Sequence, residues 1–264
     1  MQGHADMVLW IESQKTPTIA LVVFGGCYAL AALIFLATAF LRRHRAAADL
    51  KATTPTMLTP LSVIFGLLIA FLAARVWANL DHANSYVAAE ANAIRATVVL
   101  ADMLPAETRT AVRGALKKHL QFVEEEDWPA MAAGRASLRS LPSGLMDALR
   151  VVLSYVPSTP GQNIAQRSAA AAIEQALEQR RSRIVLSHAT ISSLQWLVIA
   201  VLAVLIFLTI AMVHMDRQVT VATNLFMFST AIAACLVLLM VNDRPFAAGG
   251  NTIEPSVLRE IDID

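Results

Sequence analysis

The chain has 264 residues, of which 56% are hydrophobic and 16% charged, and its formal net charge is +1. An ordinary soluble domain carries about 25% charged residues, so this composition excludes a soluble protein. The near-neutral charge also leaves no basic surface for nucleic-acid phosphates. The apolar residues form four blocks, each long enough to cross a hydrocarbon core of about 30 Å. We therefore predict an all-α, polytopic membrane protein with four transmembrane helices, at residues 18–41, 60–80, 194–213 and 219–242.

The first block is typical of a retained membrane helix rather than a cleaved signal peptide. A signal peptide has a basic start, a short apolar region and a small-residue cleavage site. Here acidic residues precede a long apolar run, and Arg42-Arg43-His44-Arg45 follows it directly. We assign spans one and two to residues 1–80, spans three and four to residues 191–242, and a C-terminal tail to residues 243–264.

Residues 81–190 are polar and mixed in charge, and we predict a helical extramembrane domain there. Gly and Pro, the main helix breakers, are absent between Leu67 and Leu104, and again from Gln162 to Arg244. The domain is therefore predicted to be built on long extensions of two spans. Span two would continue as one helix to about Met103, and span three would begin as a helix near Asn163. Two further helices are predicted between these extensions, at residues 106–127 and 144–155.

The extension of span two carries a stripe of small and aliphatic side chains at helical spacing, which we interpret as a packing face. Its members are Leu80, Ala83, Val87, Ala91, Ile94, Val98 and Ala101. The charged residues Asp81, Glu90 and Arg95 fall largely outside this stripe. Further along, the acidic run Glu124–Asp127 could bind a cation. A solvated helix end is favoured instead, because carboxylates at consecutive helix positions point in different directions.

No pattern in the sequence favours an enzyme, a metal site or an organic cofactor. The histidines lack a zinc-binding spacing, and no nucleophile elbow or phosphate-cradling glycine loop occurs. Arg75, a charged residue near the end of span two, has two interpretations. It could extend its charge to the membrane surface, or it could be a cation beside an ion pathway that attracts anions.

The distribution of cations predicts the orientation, since short cytoplasmic loops are enriched in Lys and Arg. The cations of the first and third loops are Arg42, Arg43, Arg45, Lys51 and Arg217, whereas the termini carry few. This count places both termini and the 81–190 domain outside the cytoplasm, in a multi-pass protein of the cell (inner) membrane. The arginines at 180, 181 and 183 weaken the argument, because they lie on the long loop before span three.

Span two contains a specific motif, Thr59-Pro-Leu-Ser-Val-Ile-Phe-Gly66, followed by Arg75 and Trp77. This stretch resembles the pore helix of the bestrophin ion channels and can be aligned with it without a gap. The matching residues are Pro60, Leu61, Ser62, Gly66, Arg75 and Trp77.

Further stretches agree with this resemblance. Asp243-Arg-Pro-Phe246, with the residues that follow it to Asp264, resembles the segment after the last bestrophin span. Tyr86–Ala93, Leu104-Pro105 and Glu126-Asp-Trp-Pro129 resemble a bestrophin-like family of bacterial membrane proteins. The residues taken from these matches are Glu90, Trp128, Pro129, Asp243, Pro245 and Phe246.

The resemblance implies an ion channel. Bestrophins are pentamers that mostly conduct anions such as chloride, and one face of their second span lines a hydrophobic neck. Carried over by position, the neck residues are Thr59, Val63 and Leu67, whose i, i+4, i+8 spacing also places them on one helical face. A ring of Val and Leu could gate by dewetting. Bestrophins hold the domain and both termini in the cytoplasm, which is opposite to the orientation that the cation count predicts.

Two functions stay open at this point. The first is an oligomeric ion channel, pentameric by resemblance, with the lipid bilayer and inorganic ions as its partners and anions favoured over cations. The second is a non-conducting membrane protein whose helical domain binds a partner or senses the state of the cell envelope. One copy has only four spans and no internal polar pathway, so conduction would require a ring of subunits.

Overall fold

The computed structural model describes residues 16–41, 55–214, 216–247 and 253–263, and all of the regular structure in these residues is helical. The helices are α1 (Thr16–Leu41), α2 (Pro55–Ala101), α3 (Ala106–Phe122), the π-helix π1 (Val123–Asp127), α4 (Trp128–Ala132), α5 (Ser143–Ser154), α6 (Pro160–Ser187), α7 (Ser193–Val213), α8 (Gln218–Asn242) and α9 (Ser256–Arg259). Helices α1, α2, α7 and α8 are long and apolar enough to cross a membrane. The predicted all-α, four-span fold class is confirmed.

The chain divides into two compact units. The membrane unit comprises Met1–Ala78, Thr190–Arg244 and Gly249–Asn251. The extramembrane unit comprises Asn79–Ala189, Pro245–Ala248 and Thr252–Asp264. The predicted limits of the domains and of the segments within the bilayer stay predictions.

The membrane unit is built from α1, the first part of α2, α7 and α8, whose apolar sides share one main cluster. Ile206, Phe207 and Ile210 of α7 are at most 1% exposed, and Leu72 and Val76 of α2 belong to the same cluster. Many outward side chains of these helices are also apolar, as expected where lipid rather than water surrounds a helix. The loop cations at 42, 43, 45 and 51 lie outside the described residues.

The extramembrane unit has a core in which small side chains predominate. All seven members of the predicted stripe on α2 are buried, with exposures of 8% or less, so this packing face is confirmed. On α6, Ala165, Ala169, Ile173 and Ala176 are at most 3% exposed. Small side chains allow helix backbones to approach closely, and the helices then pack over much of their length.

Residues 253–263 are held on the extramembrane unit by side chains that bind their backbone carbonyls. Trp128 Nε1 donates to the Ile253 carbonyl at 3.2 Å, and Arg95 Nη2 donates to the Val257 carbonyl at 3.2 Å. These bonds satisfy polar backbone groups in a segment that has little regular structure of its own.

The predicted extension of span two is confirmed, but the predicted extension of span three is wrong in one respect. Helix α2 runs for 47 residues and ends at Ala101. Helix α6 does begin well before span three, but it ends at Ser187, and α7 starts afresh at Ser193. The reason is a capping box, in which Ser192 and Gln195 bind each other's backbone N–H groups. The pattern Ser-x-x-Gln before an apolar run is a known helix start.

Two acidic side chains also need a correction. Glu90, outside the predicted stripe, is 0% exposed, and Asp127, the last residue of the acidic run, is 5% exposed. The other members of that run, residues 124–126, are solvated as predicted. The predicted helix at 106–127 is helical throughout, but Val123–Asp127 adopts the wider π-form. Burial of Glu90 and Asp127 is possible because each carboxylate pairs with an arginine of α6.

Candidate ion pathway

The three predicted neck residues lie on α2 and face away from the rest of their own chain. Thr59 is exposed, and Val63 and Leu67 retain 54% and 53% of their accessible surface. Gly66 has no heavy atom within 4 Å of the position that a Cβ would occupy. The described residues of one copy therefore leave this face of α2 uncovered.

The opposite side of the same helix segment packs into the membrane unit. Phe65 is 8% exposed and Leu72 is 4% exposed, and the half-buried Leu61 and Leu68 pack against the same cluster. The remaining motif residues of α2 are Pro60, which lies inside the helix, Ser62, which is half-buried, and Trp77, which is 48% exposed. This segment of α2 has one packed face and one free face.

Arg75 is exposed on α2, and its charge acts on the carboxylate of Asp243. Since an α-helix turns by 100° per residue, Arg75 lies about 120° around the helix from Val63. Arg75 therefore lies off the helix face that carries Val63. Whether Arg75 also borders an ion pathway stays a prediction.

Asp243 joins the end of span four to the start of span three. Its side chain is buried, and both carboxylate oxygens lie 3.0 Å from the backbone nitrogen of Ile191, which donates to them. Burial raises the pKa of Asp243 to about 6, although the Ile191 hydrogen bond and the charges of Arg75 and Arg244 oppose this rise. Asp243 thus supplies an acceptor for an N–H group just before α7.

The motif residues of the extramembrane unit meet around an aromatic pair. The rings of Phe246 and Trp128 pack in a T-shaped arrangement, with ring centroids 5.6 Å apart and planes at 88°. Pro129 lies in the first turn of α4. The carbonyl of Pro245 accepts the Ile253 N–H at 3.0 Å. Residues far apart in the sequence therefore form one packed cluster in this unit.

Glu90 of α2 lies at the centre of a buried ion-pair cluster. Its carboxylate accepts from Arg183 Nε at 3.0 Å and from Arg183 Nη2 at 3.3 Å, and His119 Nε2 lies 3.1 Å away. The side chains of all three residues are 0% exposed. Burial alone would raise the pKa of Glu90, but the Arg183 charge and the His119 hydrogen bond bring it below its ordinary value.

A second pair continues this cluster. Arg180 donates from Nε and Nη2 to the two carboxylate oxygens of Asp127, at 2.6 and 2.8 Å. Arg183 Nη2 also lies 3.6 Å from Asp127, and the Arg183 guanidinium stacks 4.9 Å from the centre of the Trp128 ring. Two carboxylates and two guanidinium groups balance in charge, which is the condition under which charges can be buried.

The sequence matches the model of the bestrophin-like domain family over residues 25–258, which is most of the chain. The chain belongs to the bestrophin-like family. Two crystal structures of mutant forms of a bacterial bestrophin homologue from Klebsiella pneumoniae share its fold. One gives a TM-score of 0.68 at 12% identity, covering 89% of this chain and 94% of that chain. The other gives a TM-score of 0.69 at 12% identity, covering 90% and 93%.

Identity of 12% shows that the fold is shared and shows nothing about activity. Comparison with curated proteins gives no match. The resemblance drawn from the motifs on α2, on α4 and after α8 is therefore confirmed at the level of the family and the fold.

Sequence reasoning missed the partners that bury Glu90 in this bestrophin-like protein. The sequence did contain a signal, because Glu90 lies seven residues after Ala83 of the packing stripe and seven residues before Thr97. In the structure all three residues are 0% exposed. A charged residue at a heptad position within a buried face predicts a partner from a neighbouring helix. The same reasoning applies to Arg180 and Arg183, which lie on the alanine-rich buried face of α6.

The histidines and cysteines form no metal site in the described part of the chain. No group of three or more His, Cys, Asp or Glu side chains there could hold a metal ion. His119 instead binds Glu90, and its Nδ1 is buried without a hydrogen-bond partner among the described residues. Cys27 and Cys235 are free and half-buried in α1 and α8.

Proposed function

We propose that this bestrophin-like protein is the subunit of an oligomeric ion channel, pentameric as its family resemblance suggests, in the cell (inner) membrane. The observation that carries the proposal is the free apolar face of α2, where Val63 and Leu67 are more than half exposed in a single copy. In a ring of copies with these faces toward the axis, Thr59, Val63 and Leu67 would form the neck.

The burial of the four membrane helices supports assembly. Only 11% of the most apolar window of α2 is buried within its own chain, against 44% for the corresponding window of α7. A helix with so little intrachain packing has surface available for neighbouring copies. One α2 helix cannot enclose a pore by itself, so the proposed pore requires several copies.

The neck proposed here is hydrophobic, and its expected behaviour follows from its side chains. A narrow ring of Val and Leu expels water and closes to ions, and widening it restores a water-filled path. Thr59 would form a less apolar layer at one end. Inorganic ions are the proposed cargo, and anions are the class that the family resemblance favours.

The proposed orientation places both termini and the extramembrane unit outside the cytoplasm. Arg180 and Arg183 weakened that prediction as loop cations, but both are at most 4% exposed and form ion pairs inside the unit. Long loops are translocated largely regardless of their charge, so the arginines of this long segment count for less than the cations of the two short loops. Reporter enzymes fused at the C-terminus, active on only one side of the membrane, test this, and cytoplasmic activity would reverse the assignment.

Ion flux from liposomes that carry the purified protein tests conduction. We would compare wild type with Val63→Ala/Leu67→Ala under separate chloride and potassium gradients. Flux should rise about fivefold or more in the double variant, because smaller side chains widen and wet the neck. Leu68→Ala is the matched control, since Leu68 neighbours Leu67 but packs into the membrane unit. It should lower thermal stability and leave flux unchanged.

The oligomeric state in detergent and in nanodiscs provides an independent test. A pentamer by mass measurement agrees with the proposal, whereas a stable monomer contradicts it because one α2 helix cannot enclose a pore. If wild type and Val63→Ala/Leu67→Ala are both folded and oligomeric but neither passes ions, conduction is refuted. Partner binding by the extramembrane unit would then be the better account.

A further inference from the structure

Helix α2 exposes one continuous line of side chains beyond the proposed neck. An α-helix repeats after 18 residues, which is five full turns of 3.6 residues. Asp81 is 18 residues after Val63, and Val99 is 18 residues after Asp81, so the three lie on one line along the helix. All three are exposed, and Val99 retains 67% of its surface.

The residues between Val63 and Asp81 on this line are small or exposed. Ala70, Ala74 and Trp77 lie within about 60° of it at 100° per residue, and each is exposed. The free face that begins at the neck therefore continues without interruption to Asp81, about 27 Å further along the helix at 1.5 Å per residue.

Asp81 differs from the other charged residues of α2 in having no partner among the residues that the structure describes. The Arg75 charge acts on Asp243, Glu90 pairs with Arg183, and Arg95 donates to Asn92 and to the Val257 carbonyl. Asp81 makes no hydrogen bond or ion pair with any described residue. A free carboxylate on an exposed line is available to mobile ions.

We propose that Asp81 sets the ratio of cation to anion permeability by placing a ring of carboxylates on the pore axis beyond the neck. This inference rests on the proposed function, because the ring exists only if copies assemble with this face of α2 inward. Rings of Asp or Glu favour cations in a pore. Screening limits their influence to about 8 Å at physiological salt, so the carboxylates act on ions in the passage and not on distant sites.

The test measures reversal potentials in planar bilayers under a potassium chloride gradient. Wild type is compared with Asp81→Asn, Asp81→Lys and Asp81→Glu, each made also in the Val63→Ala/Leu67→Ala background so that a closed neck cannot mask an effect. Glu174→Gln is the matched control, since Glu174 is an exposed carboxylate on α6. The oligomeric state of every variant is measured first, and Asp81→Ser replaces any variant that fails to assemble.

We expect the cation-to-anion permeability ratio to fall roughly fivefold in Asp81→Asn, and further in Asp81→Lys, because each step removes negative potential from the ring. Asp81→Glu and Glu174→Gln should keep the wild-type ratio. The inference holds whichever ion dominates in wild type, since it concerns the direction of the change.

Two negative results have different meanings. If current flows and the ratio is the same in wild type, Asp81→Asn and Asp81→Lys, Asp81 does not face the ions and the inference is overturned while the channel remains. If no variant passes current in either background although all are oligomeric, the proposed function and the inference both fail.

Discussion

The membrane unit and the extramembrane unit satisfy their buried polar groups in different ways. In the membrane unit, hydroxyl groups mostly bind a carbonyl one turn back in the same helix. Thr209 donates to the Leu205 carbonyl at 2.7 Å, and Ser229 donates to the Leu225 carbonyl at 2.6 Å. In the extramembrane unit, the buried Glu90 binds Arg183, which is 93 residues away in the sequence.

The difference reflects what surrounds each unit. A helix in lipid must satisfy its polar groups locally, because hydrocarbon offers no hydrogen-bond partner during insertion. A helix folding in water can keep a charge solvated until its partner arrives. Burial of an incompletely paired charge is costly. The pair between Glu90 of α2 and Arg183 of α6 therefore disfavours any packing of these two helices in which the two side chains do not meet. The membrane unit relies on shape and apolar contact instead.

The largest effect should come from breaking the buried pair. Glu90→Gln leaves the Arg183 guanidinium buried with only part of its charge balanced, and we expect a loss of about 3 kcal/mol. Thermal unfolding in detergent, followed by fluorescence, measures it. Glu178→Gln is the control, because Glu178 is exposed on α6, and it should change little.

Replacing both partners sharpens this comparison. Apolar residues of similar size can substitute for a buried ion pair at little cost, so Glu90→Leu/Arg183→Met should recover most of the stability lost in Glu90→Gln. A double variant as unstable as the single one would mean that the pair provides more than mutual charge balance.

A second strong effect is expected at the contact between α3 and α5. A Cβ on Gly144 would lie 2.6 Å from the Ala115 carbonyl oxygen and 2.6 Å from the His119 nitrogen, both backbone atoms that cannot move aside. Gly144→Ala should therefore cost about 2 kcal/mol through overpacking. Gly114→Ala is the matched control, since no heavy atom lies within 4 Å of its Cβ position. Equal melting temperatures for the two variants would contradict the close approach.

Asp243 gives a pH-dependent prediction for the membrane unit. Its pKa in the folded protein, about 6, lies above the ordinary value of 3.8. A raised pKa means that this group stabilises the fold below pH 3.8 and that the contribution is lost as the pH rises through about 6. Asp243→Asn keeps an acceptor for the Ile191 N–H and removes the ionisation.

Melting temperatures of wild type and Asp243→Asn should be compared between pH 3.5 and pH 8. Relative to the variant, wild type should lose on the order of 2–3 kcal/mol across that window as the pH rises. The result to look for is the difference between the two curves, since other groups titrate in both. A constant difference would show that the pKa of Asp243 is the same in the folded and the unfolded protein.

The smallest effect is expected at the start of α7. Ser192→Ala removes the side chain that accepts the Gln195 N–H at 3.3 Å, and loss of such a cap costs about 1 kcal/mol. Ser193→Ala is its control, because Ser193 is exposed and does not cap the helix. Hydrogen exchange of the first amides of α7 should rise in Ser192→Ala alone, and equal exchange in both variants would argue against the cap.

The candidate site was predictable in part. The spacing of Val63 and Leu67 places them on one helix face, because residues four apart on an α-helix are neighbours, and both are exposed in the structure. Their role in a neck stays a prediction. The electrostatic effect of Arg75 on the Asp243 carboxylate was not predictable, since the two residues are far apart in the sequence. The end of α6 and the new start of α7 could have been predicted, because Ser192 and Gln195 form a recognisable capping pattern before an apolar run.

The sequence by itself determined the class of this protein, its four spans, the long helix α2 and the packing stripe that begins at Leu80. These follow from apolar length and helical periodicity, which are local properties of a chain. Only the tertiary structure decided that Glu90 and Asp127 are buried and which arginines neutralise them. A charged side chain is stable in a core only when a partner from elsewhere in the chain reaches it, and the identity of that partner depends on how the helices pack.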